Sequence, residues 1–307
     1  MYFYIGIDSG ATNCRFLIET VKAKTYEFSK RATHLPTAGA KSFAINLSNK
    51  LNSLLKKLHL TNDHCKGLCI GIAGARSKKL KKTVKEQIIK TTNIANVIVT
   101  SDTEIAHYGI YNDGEGLIFI SGSGSILYGK INGEIQQAGG WGRIVGDAGS
   151  GYQIGQLALQ KITDDFDTIS NNKNVSFFTT TVCKITGFTP ENLIELIYLK
   201  NFPVASLAEH IIKIADKGNK TAREILDCSI DSAMKYFDAI LSRIPKKTKK
   251  IKLALVGSLV ESENYFSRSF KAKLKKNYPL FEIIQLLHQP VFGALEMAKK
   301  EFPYEES

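Results

Sequence analysis

A chain of 307 residues, 43% hydrophobic and 23% charged, can bury a sizeable core without disulfide or metal staples and has the length for two domains sharing a cleft. Its net charge of +12 raises the question of nucleic acid, but the basic runs Lys78–Lys82, Lys246–Lys250 and Lys271–Lys276 are lysine-rich, hold almost no aromatics and read as solvated faces, so no nucleic-acid partner is expected. The apolar opening Met1–Ile7 lacks a basic region and meets Asp8 well short of the roughly 18 apolar residues of a membrane span, and the five cysteines show no CxxC spacing: a cytoplasmic protein with free thiols and no membrane partner is expected.

In chain order, the first elements form a glycine-broken hairpin: a strand from Tyr2 to Asp8, a turn Ser9–Thr12, a strand from Cys14 to Thr20 and a weaker strand near Tyr26 to Arg31. A P-loop or dinucleotide site would lead from its first strand into a helix, so this opening points elsewhere. Lys41 to Leu60 carries Phe43, Ile45, Leu47, Leu51, Leu54, Leu55 and Leu58 at helical spacing, and Gly67 to Ala73 reads as a buried strand. A lysine-rich helix follows, then a strand Val97 to Thr100 that runs through Ser101 and Asp102 into a helix Thr103 to Gly109. These alternating elements indicate an α/β domain.

The second half repeats the theme. Gly116 to Ile120 is a strand, Ser121–Ser125 a turn, Ile126 to Ile131 a strand, and Asn132–Glu134 a hairpin turn into Ile135–Gln137. Ser150 to Arg243 reads as mainly helical; a strand Lys252 to Val256 then leads through Gly257 and Ser258 to a helix from Glu261. Val291 to Lys300 is a short amphipathic helix expected to fold back onto the first domain. Gly124–Ile131 nearly spells a Walker A loop, but Ile131 replaces the required Ser or Thr on a strand-patterned segment.

Five places carry chemistry. The small-residue turns Ser9–Thr12 and Ser121–Ser125 let backbone N–H groups approach a phosphate, or are simply hairpin turns; having one per half favours the first reading. Asp8 ends an apolar strand and either organises Mg²⁺ with its waters or caps the Gly10 and Ala11 amides. Asp102 is either the N-cap of the following helix or, at a strand's carboxyl end where α/β domains place ligands, a base for an alcohol proton. The glycine-dense stretch Gly139–Tyr152 holds the only Trp, Trp141, and an isolated Asp147: a sugar-binding loop or a structural one.

Taken together, these residues resemble the N-acetylglucosamine kinase and glucosamine kinase branch, of BadF/BadG type, of the sugar kinase/actin/Hsp70 superfamily. Ile5–Arg15 resembles its first phosphate motif, Ser101-Asp102 its connecting motif, Ile120–Ser125 its second phosphate motif, Gly139–Tyr152 its sugar loop and Leu255–Leu259 its adenosine motif, with Gln289–Ala294 as the closing segment. The resemblance runs the length of the chain. It implies an α/β fold of two ribonuclease H-like (actin-like ATPase) domains with an interdomain cleft, over 1–115 completed by a helix at 293–307, and 116–292 with a helical insertion. It further implies ATP and Mg²⁺, a small-molecule sugar substrate, a homodimer, and phosphoryl transfer to an amino sugar, expected at its 6-hydroxyl, with Asp102 as catalytic base. By the same carry-over Asp8 organises the metal; Asp8, Gly10, Ala11, Thr12, Arg15, Gly122, Ser123, Gly124, Gly257 and Ser258 bind ATP; and Thr37, Asp102, Ser121, Trp141, Gly142 and Asp147 meet the sugar.

Three positions depart from the family pattern. Ala11 stands where a glycine is usual, Ser258 replaces the second of two glycines, and the segment Thr33–Gly39 lacks the sugar-binding Asn of relatives, leaving Thr37 or His34 as substitutes. Two rivals remain as expectations of another kind. ATPase activators of 2-hydroxyacyl-CoA dehydratases share the fold but hold an iron–sulfur cluster with cysteines near the second phosphate motif, and no Cys lies between Cys69 and Cys183. Sugar-sensing regulators carry a helix-turn-helix before the first motif, where this sequence opens directly on the strand, and Asp8, Thr12 and Asp102 are all present; an enzyme is expected.

Overall fold

The computed structural model describes residues 1–10, 13–33, 35–168, 175–245, 247–285 and 289–304, and the chain divides into two compact units, Met1–Gly114 with Leu286–Ser307 and Glu115–Gln285.

The first unit contains β1 (Phe3–Ser9), β2 (Asn13–Thr20), β3 (Thr25–Arg31), α1 (Leu35–Ala38), α2 (Ala40–Lys57), β4 (Cys65–Ile72), α3 (Lys78–Thr92), β5 (Val97–Ser101) and α4 (Asp102–Tyr111), and the last helix of the chain, α11 (Pro290–Glu301). The sheet order is β3-β2-β1-β4-β5, antiparallel across β3-β2-β1 and parallel across β1-β4-β5. Because strand side chains alternate, β1 points Phe3, Ile5 and Ile7 to one face and Tyr4, Gly6 and Asp8 to the other. The first face is covered by α2 and α3 through Phe43, Leu47, Leu51, Val84 and Ile88. The second is covered by α4 and α11, where Ile105, Ala294, Leu295 and Ala298 pack with Tyr4 and Cys69. Asp8 therefore ends its strand on the face that α4 and α11 occupy.

The second unit contains β6 (Gly116–Ser121), β7 (Ser125–Ile131), β8 (Glu134–Gly139), α5 (Gly151–Thr168), α6 (Phe177–Thr186), α7 (Leu207–Asp216), α8 (Lys220–Leu241), β9 (Ile251–Val256), α9 (Ser258–Glu261), α10 (Tyr265–Asn277) and β10 (Phe281–Ile284). Its sheet runs β10-β9-β6-β7-β8, so among the described residues the same five-stranded plan, an antiparallel meander continued by two parallel strands, occurs in each unit. This is the repeated ribonuclease H-like plan of the actin-like ATPase fold. Phe119 stacks on Phe270 at 4.8 Å in the core of this unit, with Phe237 beside both. Asn132 and Gly133, at φ 53° and 80°, form the β7–β8 turn, and the Glu115 carboxylate accepts from both their amides at 2.7 Å.

Local differences from the sequence reading have plain causes. Ile45 is exposed, because the buried stripe of α2 follows Phe43, Ala44, Leu47, Leu51, Leu54 and Leu55, and residue 45 turns to the opposite side. Thr33–Gly39 holds the short helix α1 instead of a plain loop. The helix expected from Glu261 is broken: α9 is one turn, and α10 starts anew after Asn264, whose side chain accepts from Ser267 N in a capping box. The four-residue strand β10 is too short to show a period of its own. No described helix is long and apolar enough to cross a membrane, and all five cysteines are unpaired.

Candidate functional site

In the first unit the parallel register puts Asp8 beside Gly71, and Gly71 beside Thr100, so that the carboxyl ends of β1, β4 and β5 lie in one row. Asp102 follows two residues after Thr100 as the first residue of α4. Across the antiparallel side Arg15 is the direct partner of Asp8, which sets a guanidinium on the same face as the carboxylate. Asp8 and Asp102 are both half-buried. Burial and the nearby Asp102 push the Asp8 carboxyl up to about 7, against the pull of Arg15. Asp102 is raised as well, by burial first, with Glu104 adding to the rise and hydrogen bonds from Thr103 opposing it.

The cap of α4 is Ser101, not Asp102. The Ser101 side chain accepts from Glu104 N at 3.1 Å, while the Glu104 carboxylate accepts from Ser101 N at 2.8 Å, a complete capping box. The capping role that the sequence left open for Asp102 is thus already filled. Its Oδ1 accepts from Thr103 N at 2.9 Å and from the Thr103 hydroxyl at 3.4 Å. Among the described residues no hydrogen bond or ion pair reaches the Asp8 carboxylate; of the two amides in the capping alternative for Asp8, Gly10 N is taken by Asn13 O and Ala11 lies outside the described residues. Ala11, Thr12 and His34 lie outside the described residues. Gly10 N donates to Asn13 O at 3.0 Å and closes the first turn. Thr37 is exposed on α1.

In the second unit the turn Ser121–Ser125 and the loop Gly139–Ser150 are tied together. Ser121 Oγ donates to Gly149 O and Ser125 Oγ to Ala148 O, each at 2.6 Å. Ala148 N donates to the Tyr236 hydroxyl at 2.8 Å, and Gly149 N to Gln153 Oε1 at 2.7 Å. Gly122 N donates to Gly124 O at 3.0 Å, and Gly151 N donates to Gly122 O at 2.8 Å. Asp147 is buried at φ 61°, accepts from Gly142 N at 3.3 Å, and lies so close to Gly124 that a Cβ there would come within 2.8 Å of its Oδ2. Trp141, by contrast, is 69% exposed at the loop's tip, beside the exposed Ile144 and Val145.

A cavity of about 490 Å³ in this unit is walled by Gly122, Ser123 and Ser258, so the second phosphate turn and the adenosine motif border one space. Gly257 is the reason they approach: at φ 106° and ψ 155° it occupies a region that is essentially glycine-only, and a Cβ there would overlap the Ser121 carbonyl. The remaining walls were not visible in the sequence. Glu209 and Lys213 on α7 line the cavity and pair at 2.5 Å; Asp216, held by Arg268 at 3.0 Å, and Asn264 line it too. Their only sequence signal is an amphipathic helix without a motif. A second cavity of about 510 Å³, lined by Phe166, Cys183, Phe188 and Pro190, contains none of the expected residues. Among the described residues no three His, Cys, Asp or Glu side chains converge as a metal cluster.

Comparison with known proteins adds to this geometry. The profile of the BadF/BadG/BcrA/BcrD ATPase family matches residues 5–298. The chain is 30% identical over 306 residues to an N-acetylmuramic acid/N-acetylglucosamine kinase of Clostridium acetobutylicum, across 98% of this chain and 99% of that protein. It is 25% identical over 314 residues to an N-acetyl-D-glucosamine kinase of Dictyostelium discoideum, across 96% and 97%. Among solved structures, that of a candidate N-acetylglucosamine kinase from Chromobacterium violaceum superposes with a TM-score of 0.77 at 19% identity, covering 97% of this chain and 99% of that one, a likeness of fold.

Proposed function

The chain belongs to the BadF/BadG/BcrA/BcrD ATPase family, and on that premise we propose that it transfers the γ-phosphoryl group of ATP to the 6-hydroxyl of an N-acetylated amino sugar. The observation that carries this reading is the coupled pair of half-buried carboxylates, Asp8 and Asp102, with Ser101 supplying the helix cap in place of Asp102. The names of the two full-length curated relatives support the sugar class, and the first of them supports N-acetylmuramic acid as a second acceptor.

Asp102 accepts the proton of the sugar hydroxyl as its oxygen bonds to phosphorus and the bond to ADP breaks. A carboxylate raised by burial is the better base near neutral pH. Asp8 fits Mg²⁺: its carboxylate has no hydrogen-bond partner among the described residues, and burial together with the neighbouring Asp102 outweighs the pull of Arg15, a balance that a cation would reverse. When bound there, Mg²⁺ would neutralise charge on the β- and γ-phosphoryl oxygens. Arg15, opposite Asp8, holds phosphate with Gly10, Ala11 and Thr12. In the second unit the cavity bordered by Gly122, Ser123 and Ser258 takes the nucleotide, with Gly124 and Gly257 in the turns beside it, while Asp147 accepts hydrogen bonds from the sugar and the exposed Trp141, with Gly142, Ser121 and Thr37, completes its binding. Five unpaired cysteines support a cytoplasmic location.

The test is ADP release with Mg-ATP and, in turn, N-acetylglucosamine, N-acetylmuramic acid, glucosamine, N-acetylmannosamine and glucose. Sugar-dependent release is expected, strongest with the first two. ADP release that no sugar stimulates would overturn the proposal.

A further inference from the structure

The strongest unassigned feature of the first unit is a concentration of hydrogen bonds on one carboxylate oxygen next to the proposed base. Glu104 Oε2 accepts from Ser101 N at 2.8 Å, from Ser101 Oγ at 2.9 Å, from Lys81 Nζ of α3 at 2.9 Å, and from the hydroxyl of Thr100 on β5. A capping box needs only the first of these. The other three tie the strand before Asp102, the cap itself and a separate helix to a single atom. The group is charged throughout the working range: although burial pushes the Glu104 carboxyl up, the bonds from Thr100, Ser101 and Lys81 hold it down to about 2.

Asp102 is the residue enclosed by this arrangement, with Thr100 and Ser101 on one side and Glu104 on the other. Two consecutive residues before it are pinned to a residue two positions after it, so the backbone that carries Asp102 has its dihedrals fixed at the exit from β5. Lys81 ties that pinned turn to α3. Catalysis by proton transfer depends on such placement, since displacement of a reacting group by about 1 Å costs on the order of a hundredfold.

Resting on the kinase reading above, we propose that Glu104 is a positioning residue for the reaction, fixing through Lys81, Thr100 and Ser101 the direction in which Asp102 leaves its strand. It touches neither substrate nor metal in this assignment; it acts through Asp102.

The experiment compares kcat and KM for ATP and for sugar in the wild type, E104A, E104Q and K81M of the full chain. E104A is expected to lower kcat by about ten- to a hundredfold while both KM values stay within about twofold. Gln can keep the capping box, so E104Q is expected to recover most of that loss. K81M leaves the box intact and removes only the tie to α3, and is expected to lower kcat severalfold at unchanged KM; it decides the matter should E104A not fold. An unchanged kcat in K81M, a folded E104A with wild-type kcat, a change confined to KM, or E104Q no better than a folded E104A would each overturn the proposal. A wild type without sugar-dependent turnover would instead bring down the kinase reading.

Discussion

Gly293 of α11 lies backbone to backbone against Gly109 of α4: a Cβ on Gly109 would fall 3.0 Å from Gly293 N, and one on Gly293 would fall 2.5 Å from Gly109 N. The two helices cross with no side chain between them, so the position of α4, whose first residue is Asp102, is set by the last helix of the chain. Gly293→Ala must therefore push backbone against backbone, where no flexible side chain can give way. Overpacking of this kind costs typically about 1–3 kcal/mol, and a lower midpoint in thermal and urea unfolding is expected. A fall in kcat at protein concentrations where the variant is folded is expected as well, because α4 shifts. Wild-type stability and turnover together would show that the crossing has slack.

Asp102→Asn tests the base directly. Loss of a positioned general base costs roughly 10²–10⁴ in rate, so kcat for sugar phosphorylation is expected to fall by that range. ATP binding, measured by calorimetry in the absence of sugar, is expected to survive, since the amide keeps the carboxylate's shape and the cavity proposed for the nucleotide belongs to the other unit. Undiminished turnover would remove Asp102 from the mechanism.

Much of this was legible because local chemistry and global fold agree. The Ile5–Asp8 strand, its glycine turn and the returning strand to Thr20 carry alternation strong enough to fix register, and the same pattern at Gly116–Ile131 exposes the internal repeat. Asn132-Gly133 announces its own hairpin. Ser101 as cap was also readable in principle, for Ser101 and Glu104 have the spacing of a capping box, yet Asp102 competes for the same role in sequence and only the hydrogen bonds decide. What stayed hidden depends on distant parts of the chain. Glu209, Lys213 and Asp216 border the cavity of Gly122, Ser123 and Ser258 because α7 packs on α5 and α8, a consequence of tertiary packing that no spacing within α7 encodes. Gly293 was read as part of a closing motif, but its contact with Gly109 needs a partner 184 residues away in sequence, the difference of the two numbers.

Gly257→Ala is expected to injure nucleotide binding more than sugar binding. The substitution forces an L-residue into a glycine-only region and drives its Cβ toward the Ser121 carbonyl, so the adenosine motif and the second phosphate turn must separate. Strain of this kind costs on the order of 1–3 kcal/mol, which corresponds to roughly 5- to 150-fold in KM for ATP if it is borne by the cavity. The measurement is KM for ATP and for sugar side by side. A rise confined to the sugar would mean that this turn does not border the nucleotide.

The pH dependence of stability follows from Asp8. A carboxyl raised from 3.8 to about 7 holds its proton more tightly in the folded chain than in the unfolded one. Between those two values the unfolded state releases the proton first, so the contribution to stability is complete below about pH 4 and is lost as pH rises through about 7. Asp8→Asn cannot ionise. It is expected to melt higher than the wild type above neutral pH in the presence of EDTA, and the difference is expected to shrink below pH 4. Mg²⁺ should narrow the gap above neutral pH by stabilising the wild type and not the variant, since a cation at Asp8 relieves the same buried charge. Thermal unfolding of both proteins across pH, with EDTA and with Mg²⁺, makes the comparison. An Asp8→Asn protein that melts no higher than wild type above neutral pH would mean that the ionised carboxylate is already compensated, and that Asp8 has no vacancy of charge for a metal to fill.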